Sequence, residues 1–344
     1  MYRRAEIEAD GLPSLTAGGW QSRRAEILER WLDALGELPP LLSEPRVELG
    51  EAESFPTHVR RRIVFTTGDQ DQVPALVLTP IAPGRRPAVL ALHPTAEEGK
   101  ADIATAEGRD DRRYALELVE RGYVVLAPDA ITAGERVSAG AQPFATAEFV
   151  RSHPGTSPVA KMLSDHRHAL SVLAALDEVD PTRIGVIGHS LGGYNAWFLA
   201  GLDARVAAVV SSCGFLAFAG DPDENRWGER DWFSHFPLLS PMLREGNVPF
   251  EWTEILALVA PTPLFTWLAT GDEYFPNWRE SIAALQTVSD LYTQLEQPDA
   301  MVSWVGHGGH DFPAHVREAA YGFLDRRLTD DRSGDAADPH ESRT

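Results

Sequence analysis

The chain has 344 residues, 43% of them hydrophobic, with a formal net charge of −20 and a single cysteine, Cys213. This length can bury a large core, and no stretch approaches the ~18 to 20 continuous apolar residues of a membrane helix. The acidic balance argues against nucleic acid or an anionic membrane as partner. One cysteine excludes an internal disulfide, and the opening MYRRAEIEAD has no apolar core for a signal peptide, so a cytoplasmic location is expected.

Residues 1–20 are polar, interrupted by Gly and Pro, and are expected to be irregular. Over 22–35, Ile27, Leu28, Trp31, Leu32 and Leu35 fall at helical spacing, with Ser22 as N-cap and Gly36 and Pro39-Pro40 as the stop. Residues 1–56 therefore read as an N-terminal helical extension, suited equally to an appendage or to a homo-oligomer interface. Strand patterns begin at His58: HVRRRIVFTT and VPALVLTP flank a hairpin turn at 68–72. The apolar run 88–93 suits a central strand. A helix is predicted at about 112–121, a strand at 123–126 and a long helix at about 157–179. Strand 184–187 and helix 194–202 come next, then strand 206–212 and an irregular segment, 214–251, rich in aromatic and charged residues. Strand 264–268, helix 278–295, strand 301–305 and a closing helix 313–328 complete the order. The charged tail, 329–344, is expected to be disordered. Such alternation predicts an α/β class over 57–328, with a mainly parallel, doubly wound sheet and helices on both faces.

The chemistry centres on Gly188-His189-Ser190-Leu191-Gly192, a G-x-S-x-G pentapeptide between an apolar strand and a helix. In that context the serine sits at a sharp turn with its hydroxyl projecting above the sheet. The flanking glycines are favoured because a side chain there would strike neighbouring backbone. Ser190 is therefore the candidate nucleophile. It needs an orienting acid and a base, each on a loop after a later strand. Asp272, behind Gly271 and just past strand 264–268, is the candidate acid, with Glu273 as competitor. After the last strand, the Gly-rich loop Gly306-His307-Gly308-Gly309-His310 offers two bases. His310 is preferred because it adjoins the closing helix, over His307, which is nearer the strand. The oxyanion hole is expected from the backbone N–H of Leu191 and, because Pro94 has none to give, of Thr95. His93 is expected beside that loop and the substrate. Trp227, Trp232, Phe233 and Phe236 in 214–251 are candidate pocket walls under a cap. No Walker-type glycine loop or metal-spaced histidine pair is present; acyl transfer to water needs no metal or organic cofactor.

The stretches LALHPT, ALELVERGYVVLAPD, VDPTRIGVIGHSLGGYNA, VVSSCGF and GHDFPAHVREAAYGFLDRRL resemble bacterial α/β-hydrolases of the dienelactone-hydrolase and acetyl-xylan-esterase-like branch, over about 63–328. The resemblance implies an α/β-hydrolase fold, the histidine before Asp-Phe-Pro (His310) as base, and an acid in the loop Asp272-Glu273-Tyr274-Phe275. It departs at Pro94, where relatives often carry Gln. The expected activity is hydrolysis of a small or medium carboxylic ester through an acyl-Ser190 intermediate. A serine peptidase or other acyl-transfer enzyme on the same fold is the alternative, and a catalytically silent binding protein is the third reading.

Overall fold

The computed structural model describes residues 17–329, so the expectations for 1–16 and for most of the charged tail lie outside the described residues. In chain order the elements are α1 (Ala17–Leu35), β1 (Val47–Ser54), β2 (His58–Thr66), β3 (Gln72–Pro80), β4 (Arg86–Leu92), α2 (Ala101–Ala104), α3 (Tyr114–Glu120), β5 (Val124–Pro128), α4 (Ala147–Ser152), α5 (Pro158–Ala174), β6 (Val179–His189), α6 (Leu191–Leu202), β7 (Val206–Ser212), α7 (Ser240–Glu245), α8 (Trp252–Ala257), β8 (Leu264–Ala269), α9 (Trp278–Gln294), β9 (Met301–Gly306) and α10 (Ala314–Leu328). The strands form one sheet in the order β1-β2-β3-β5-β4-β6-β7-β8-β9. The pairs β1/β2, β2/β3 and β3/β5 are antiparallel, and every later pair is parallel.

Strand β4 shows why the chain folds in layers. Ala88, Leu90 and Leu92 point into one core cluster while Val89 and Ala91 point into the other, the period-two alternation of a strand buried on both faces. The first cluster packs α1, α5, α6, α8 and α9 on one face; the second packs α2, α3 and α10 on the other. The parallel strands all end at one rim, and the loops leaving β6, β8 and β9 there carry the candidate residues.

Several local expectations are corrected. Helix α1 begins at Ala17, so residues 17–20 are helical and Ser22 lies inside the helix, not at its N-cap. Nor is α1 an appendage: Trp20, Ile27, Trp31 and Leu35 are buried in the first core cluster. The Trp31 ring meets Phe198, Phe236, Phe250 and Trp252 at centroid distances of 4.8, 5.2, 5.8 and 5.7 Å. Arg24 donates to the carbonyls of Gly201 and Leu258, completing the dock. Helix α5 starts near the expected position, capped by Ser157, whose side chain accepts from the Ala160 N–H, but it ends at Ala174, and Val179 already belongs to β6. Strand β1 was not expected. It is an edge strand, mostly exposed, and its sequence VELGEAES has no alternating apolar face.

Candidate active site

The strand-turn-helix order expected over 183–202 is present, with the strand longer (Val179–His189) and the helix starting earlier (Leu191) than the expected 184–187 and 194. Ser190 sits between β6 and α6 at φ 54°, ψ −117°, a conformation a non-glycine residue adopts only when its surroundings enforce it. The enforcement is visible: the Ser190 N–H donates to the Ser212 carbonyl at 2.8 Å. A Cβ on Gly188 would lie 2.2 Å from the Gly192 backbone, and one on Gly192 only 2.0 Å from the Leu92 carbonyl oxygen. The turn thus needs glycine on both sides, and it presses the start of α6 against the end of β4.

At the ends of β8 and β9, Asp272 and His310 meet. His310 Nδ1 and Asp272 Oδ2 are 2.7 Å apart. The other carboxylate oxygen accepts the backbone N–H groups of Tyr274 (2.9 Å) and Phe275 (3.0 Å). Burial alone would raise the Asp272 pKa, but the hydrogen bond and charge of His310 and the two backbone donors outweigh it and hold the carboxyl below its ordinary value. An ionised acceptor makes Nδ1 the protonated ring nitrogen, which leaves the Nε2 lone pair for another proton. The competitors are placed elsewhere: Glu273 is exposed at the cavity wall, and His307 is exposed on the loop before His310.

A cavity of about 630 Å³ opens over these groups and is lined by Ser190 and His310 together. Thr95 is exposed to it and, among the described residues, its N–H donates to no protein acceptor. Leu191 is the first residue of α6, whose leading N–H groups have no intrahelical partner. His93 does not line the cavity. It is buried behind the loop, where its Nδ1 lies 2.7 Å from the Pro94 carbonyl and its Nε2 accepts the Ala130 N–H at 3.0 Å. Burial pushes its pKa down, so the ring is a neutral brace for the loop that carries Thr95.

Segment 214–251 does wall the site. Trp227, Trp232 and Phe233 line the cavity, with Arg226, Arg230 and His235 from the same segment. Phe236 does not; it is fully buried in the core against Trp31, Phe198 and Trp252. The segment is tied down at Thr146, whose N–H donates to the Trp232 carbonyl and whose hydroxyl accepts from the Ser234 N–H.

Four participants were not picked out from the sequence. Arg112, buried, donates to the His310 carbonyl at 2.9 Å and so clamps the loop that carries this histidine. Tyr194, one turn after Ser190, has its hydroxyl 2.8 Å from His235 Nε2 and joins α6 to the overlying segment. The His189 ring packs 4.9 Å from the His310 ring. Cys213 stands directly after β7 at φ 42° and is buried beneath the Asp272–His310 pair; burial and the Asp272 charge push its thiol pKa up. Only Tyr194 had a local signal, its i+4 spacing from Ser190. His189 adjoins Ser190 in the chain, but its packing on His310, like the Arg112 and Cys213 placements, joins distant parts of the chain.

Comparison with known proteins bears on the family and the fold. Residues 73–231 match the dienelactone hydrolase family. YtaP of Bacillus subtilis (strain 168), whose name places it among hydrolases, is 26% identical over 317 residues, covering 89% of this chain and all of that protein. A glucuronoyl esterase from Solibacter usitatus superposes with a TM-score of 0.70 at 20% identity, covering 92% of this chain and 94% of its own. Acetyl xylan esterase 1 from Thermoanaerobacterium sp. JW/SL YS485 gives 0.59 at 18% identity, covering 90% and 98%. These likenesses establish an α/β-hydrolase fold. Among the described residues no helix is long and apolar enough to cross a membrane.

Proposed function

We propose that this chain, which carries a dienelactone hydrolase family domain, is a carboxylic ester hydrolase working through an acyl-Ser190 intermediate. One observation carries the reading: a serine held at a strained strand-to-helix turn shares a cavity with a histidine whose far nitrogen is bonded to a buried carboxylate.

In this reaction the Ser190 hydroxyl attacks the ester carbonyl while His310 Nε2 takes its proton, and Asp272 stabilises the imidazolium without becoming protonated. The carbonyl oxygen becomes an oxyanion and is met by the N–H groups of Leu191 and Thr95, with the positive end of α6 behind the first. His310 then returns the proton to the departing alcohol. Water, deprotonated by the same ring, attacks the acyl-enzyme, releases the acid and restores Ser190. A cavity of about 630 Å³ walled by Trp227, Trp232 and Phe233 suits a small or medium ester.

The test is turnover of aryl esters of graded acyl length beside aminoacyl anilides, in the parent and in Ser190→Ala. Ester cleavage with a burst of one alcohol per chain is expected, and the variant should lose several orders of magnitude while staying folded. Cleavage of anilides but not esters, or phosphonate labelling at another residue, would overturn the assignment.

A further inference from the structure

We propose that Cys213, Asp272 and His310 form an inhibitory binding site for a thiophilic divalent cation, with Zn²⁺ as the type ion. The sulfur of Cys213, a carboxylate oxygen of Asp272 and a ring nitrogen of His310 all lie within 4.8 Å of one another. They stand at the ends of β7, β8 and β9, three neighbouring parallel strands, so the sheet itself sets their spacing. Cys213 and Asp272 are 2% and 5% exposed. This is a buried, oriented donor set and not a patch of surface acids.

The donors suit the ion. Zinc takes thiolate sulfur at about 2.3 Å and imidazole nitrogen or carboxylate oxygen at about 2.0 to 2.2 Å, which in a tetrahedron puts ligand atoms roughly 3.3 to 3.6 Å apart. The widest separation here must close by about 1 Å. His310 Nδ1 and Asp272 Oδ2, now 2.7 Å apart, must open by less than that. Calcium and magnesium want six or more oxygen ligands, and one carboxylate beside a thiol cannot supply them. Three protein donors leave the fourth position to water.

Binding rearranges protons in a defined way. The Cys213 thiol proton leaves to solvent as its sulfur takes the metal. The imidazole proton moves from Nδ1 to Nε2 as the Nδ1 lone pair takes the metal, so one proton is released per ion bound. Nε2 then carries a hydrogen and cannot accept the proton of Ser190. The ion is therefore an inhibitor and not a cofactor: it locks the base in the wrong tautomer and separates it from its acid. This consequence rests on the ester hydrolase reading; the binding itself does not.

Cys213 is the sole cysteine of the chain, so a metal–thiolate signal reports this site and no other. Cadmium is titrated into the Ser190→Ala chain while the ultraviolet thiolate-to-cadmium charge-transfer band is followed. Saturation at one ion per chain is expected, with the band lost in Ser190→Ala/Cys213→Ala; absence of the band from the Ser190→Ala chain overturns the site whatever the enzyme's activity. In the active enzyme, Zn²⁺ should inhibit reversibly, with EDTA restoring the rate. Cys213→Ala, and Cys213→Ser as a second variant, should need at least tenfold more Zn²⁺ for half-inhibition, each measured against its own metal-free rate. Equal sensitivity of both variants and parent, or a cadmium band without zinc inhibition, overturns the inhibitory role.

Discussion

Replacing Gly192 by alanine tests how closely the proposed chemistry depends on the packing of α6 against β4. The new Cβ would sit 2.0 Å from the Leu92 carbonyl oxygen and 2.6 Å from its carbon, where real Cβ contacts do not fall below about 3.0 Å. The gap must therefore widen by about 1 Å. The oxygen cannot readily give way, because it accepts the Tyr114 hydroxyl at 2.5 Å. The start of α6 must move instead, taking the Leu191 N–H and Ser190 away from the loop that carries Thr95. A misplacement of about 1 Å at a reacting centre costs on the order of 10²-fold in rate, and overpacking of this kind costs about 1–3 kcal/mol in stability. Gly201→Ala, on the same helix, is the control. It lies in the last turn of α6, where its Cβ would meet Leu258, the nearest atom being the Leu258 Cβ at 3.1 Å, far from Ser190 and the Leu191 N–H. The assay is kcat and KM on an aryl ester, with urea unfolding run in parallel. Gly192→Ala should lose about 100-fold in kcat with a smaller change in KM, and Gly201→Ala should stay within about threefold of the parent. A folded Gly192→Ala enzyme with near-parental kcat would refute the reasoning.

Asp272→Asn should lower kcat by about 10⁴, the size seen when a triad loses its orienting charge, while Glu273→Gln stays within a few-fold; pH–rate profiles of both would reveal the opposite pattern if the acid is Glu273. His310→Ala should fall nearly as far as Ser190→Ala, whereas the exposed His307→Ala should be mild, and the reverse result in the same ester assay would reassign the base. Desolvation pushes buried His166 and His235 down to about 3, so between pH 6.5 and 3 the unfolded chain binds protons that the folded chain does not. Stability should therefore fall as pH drops through that window, by about 2 kcal/mol per ring at pH 5; a urea midpoint unchanged between pH 7.5 and 5 would contradict this. Trp31→Ala should cost about 3–5 kcal/mol, seen as a lower urea midpoint at unchanged slope, because its fully buried ring meets four aromatic rings.

What could be read from the sequence was whatever a short stretch decides for itself. Apolar runs such as 88–92 and 206–212 announce strands because both faces are buried, and the elbow announces itself because two glycines and a serine must be adjacent in the chain. Helix α1 was visible in its periodicity, yet its start was misplaced because Ser22 is as good a cap as any in isolation; its packing of Trp20 into the core is a tertiary event. Edge strand β1 escaped because exposure on both faces removes the alternation that marks a strand. In the candidate site, Asp272 could be named because it lies just past a predicted strand end, and His310 because it adjoins the start of the closing helix. The Arg112 clamp, the Tyr194–His235 link and the placement of Cys213 join residues 41 to 198 positions apart, or depend on three strands lying side by side. No periodicity encodes such meetings. His93 and Phe236 went the other way: both are aromatic and near the site in sequence, and both face the interior.

Strand β1 has a consequence for how copies of the chain meet. Among the described residues its outer side borders no other strand, a margin on which another chain could extend the ladder. The exposed residues along this margin include Glu48, Glu51 and Glu53, and the register shifts between Leu49 and Ala52. Two such margins brought together would set carboxylate against carboxylate on a bent frame. Charged side chains on an edge strand oppose such self-templated assembly. Exchanging Glu48 and Glu51 for valine would leave the β1–β2 ladder intact while turning the margin into an adhesive strip, and the first sign would be turbidity on concentration, with the fold itself unchanged.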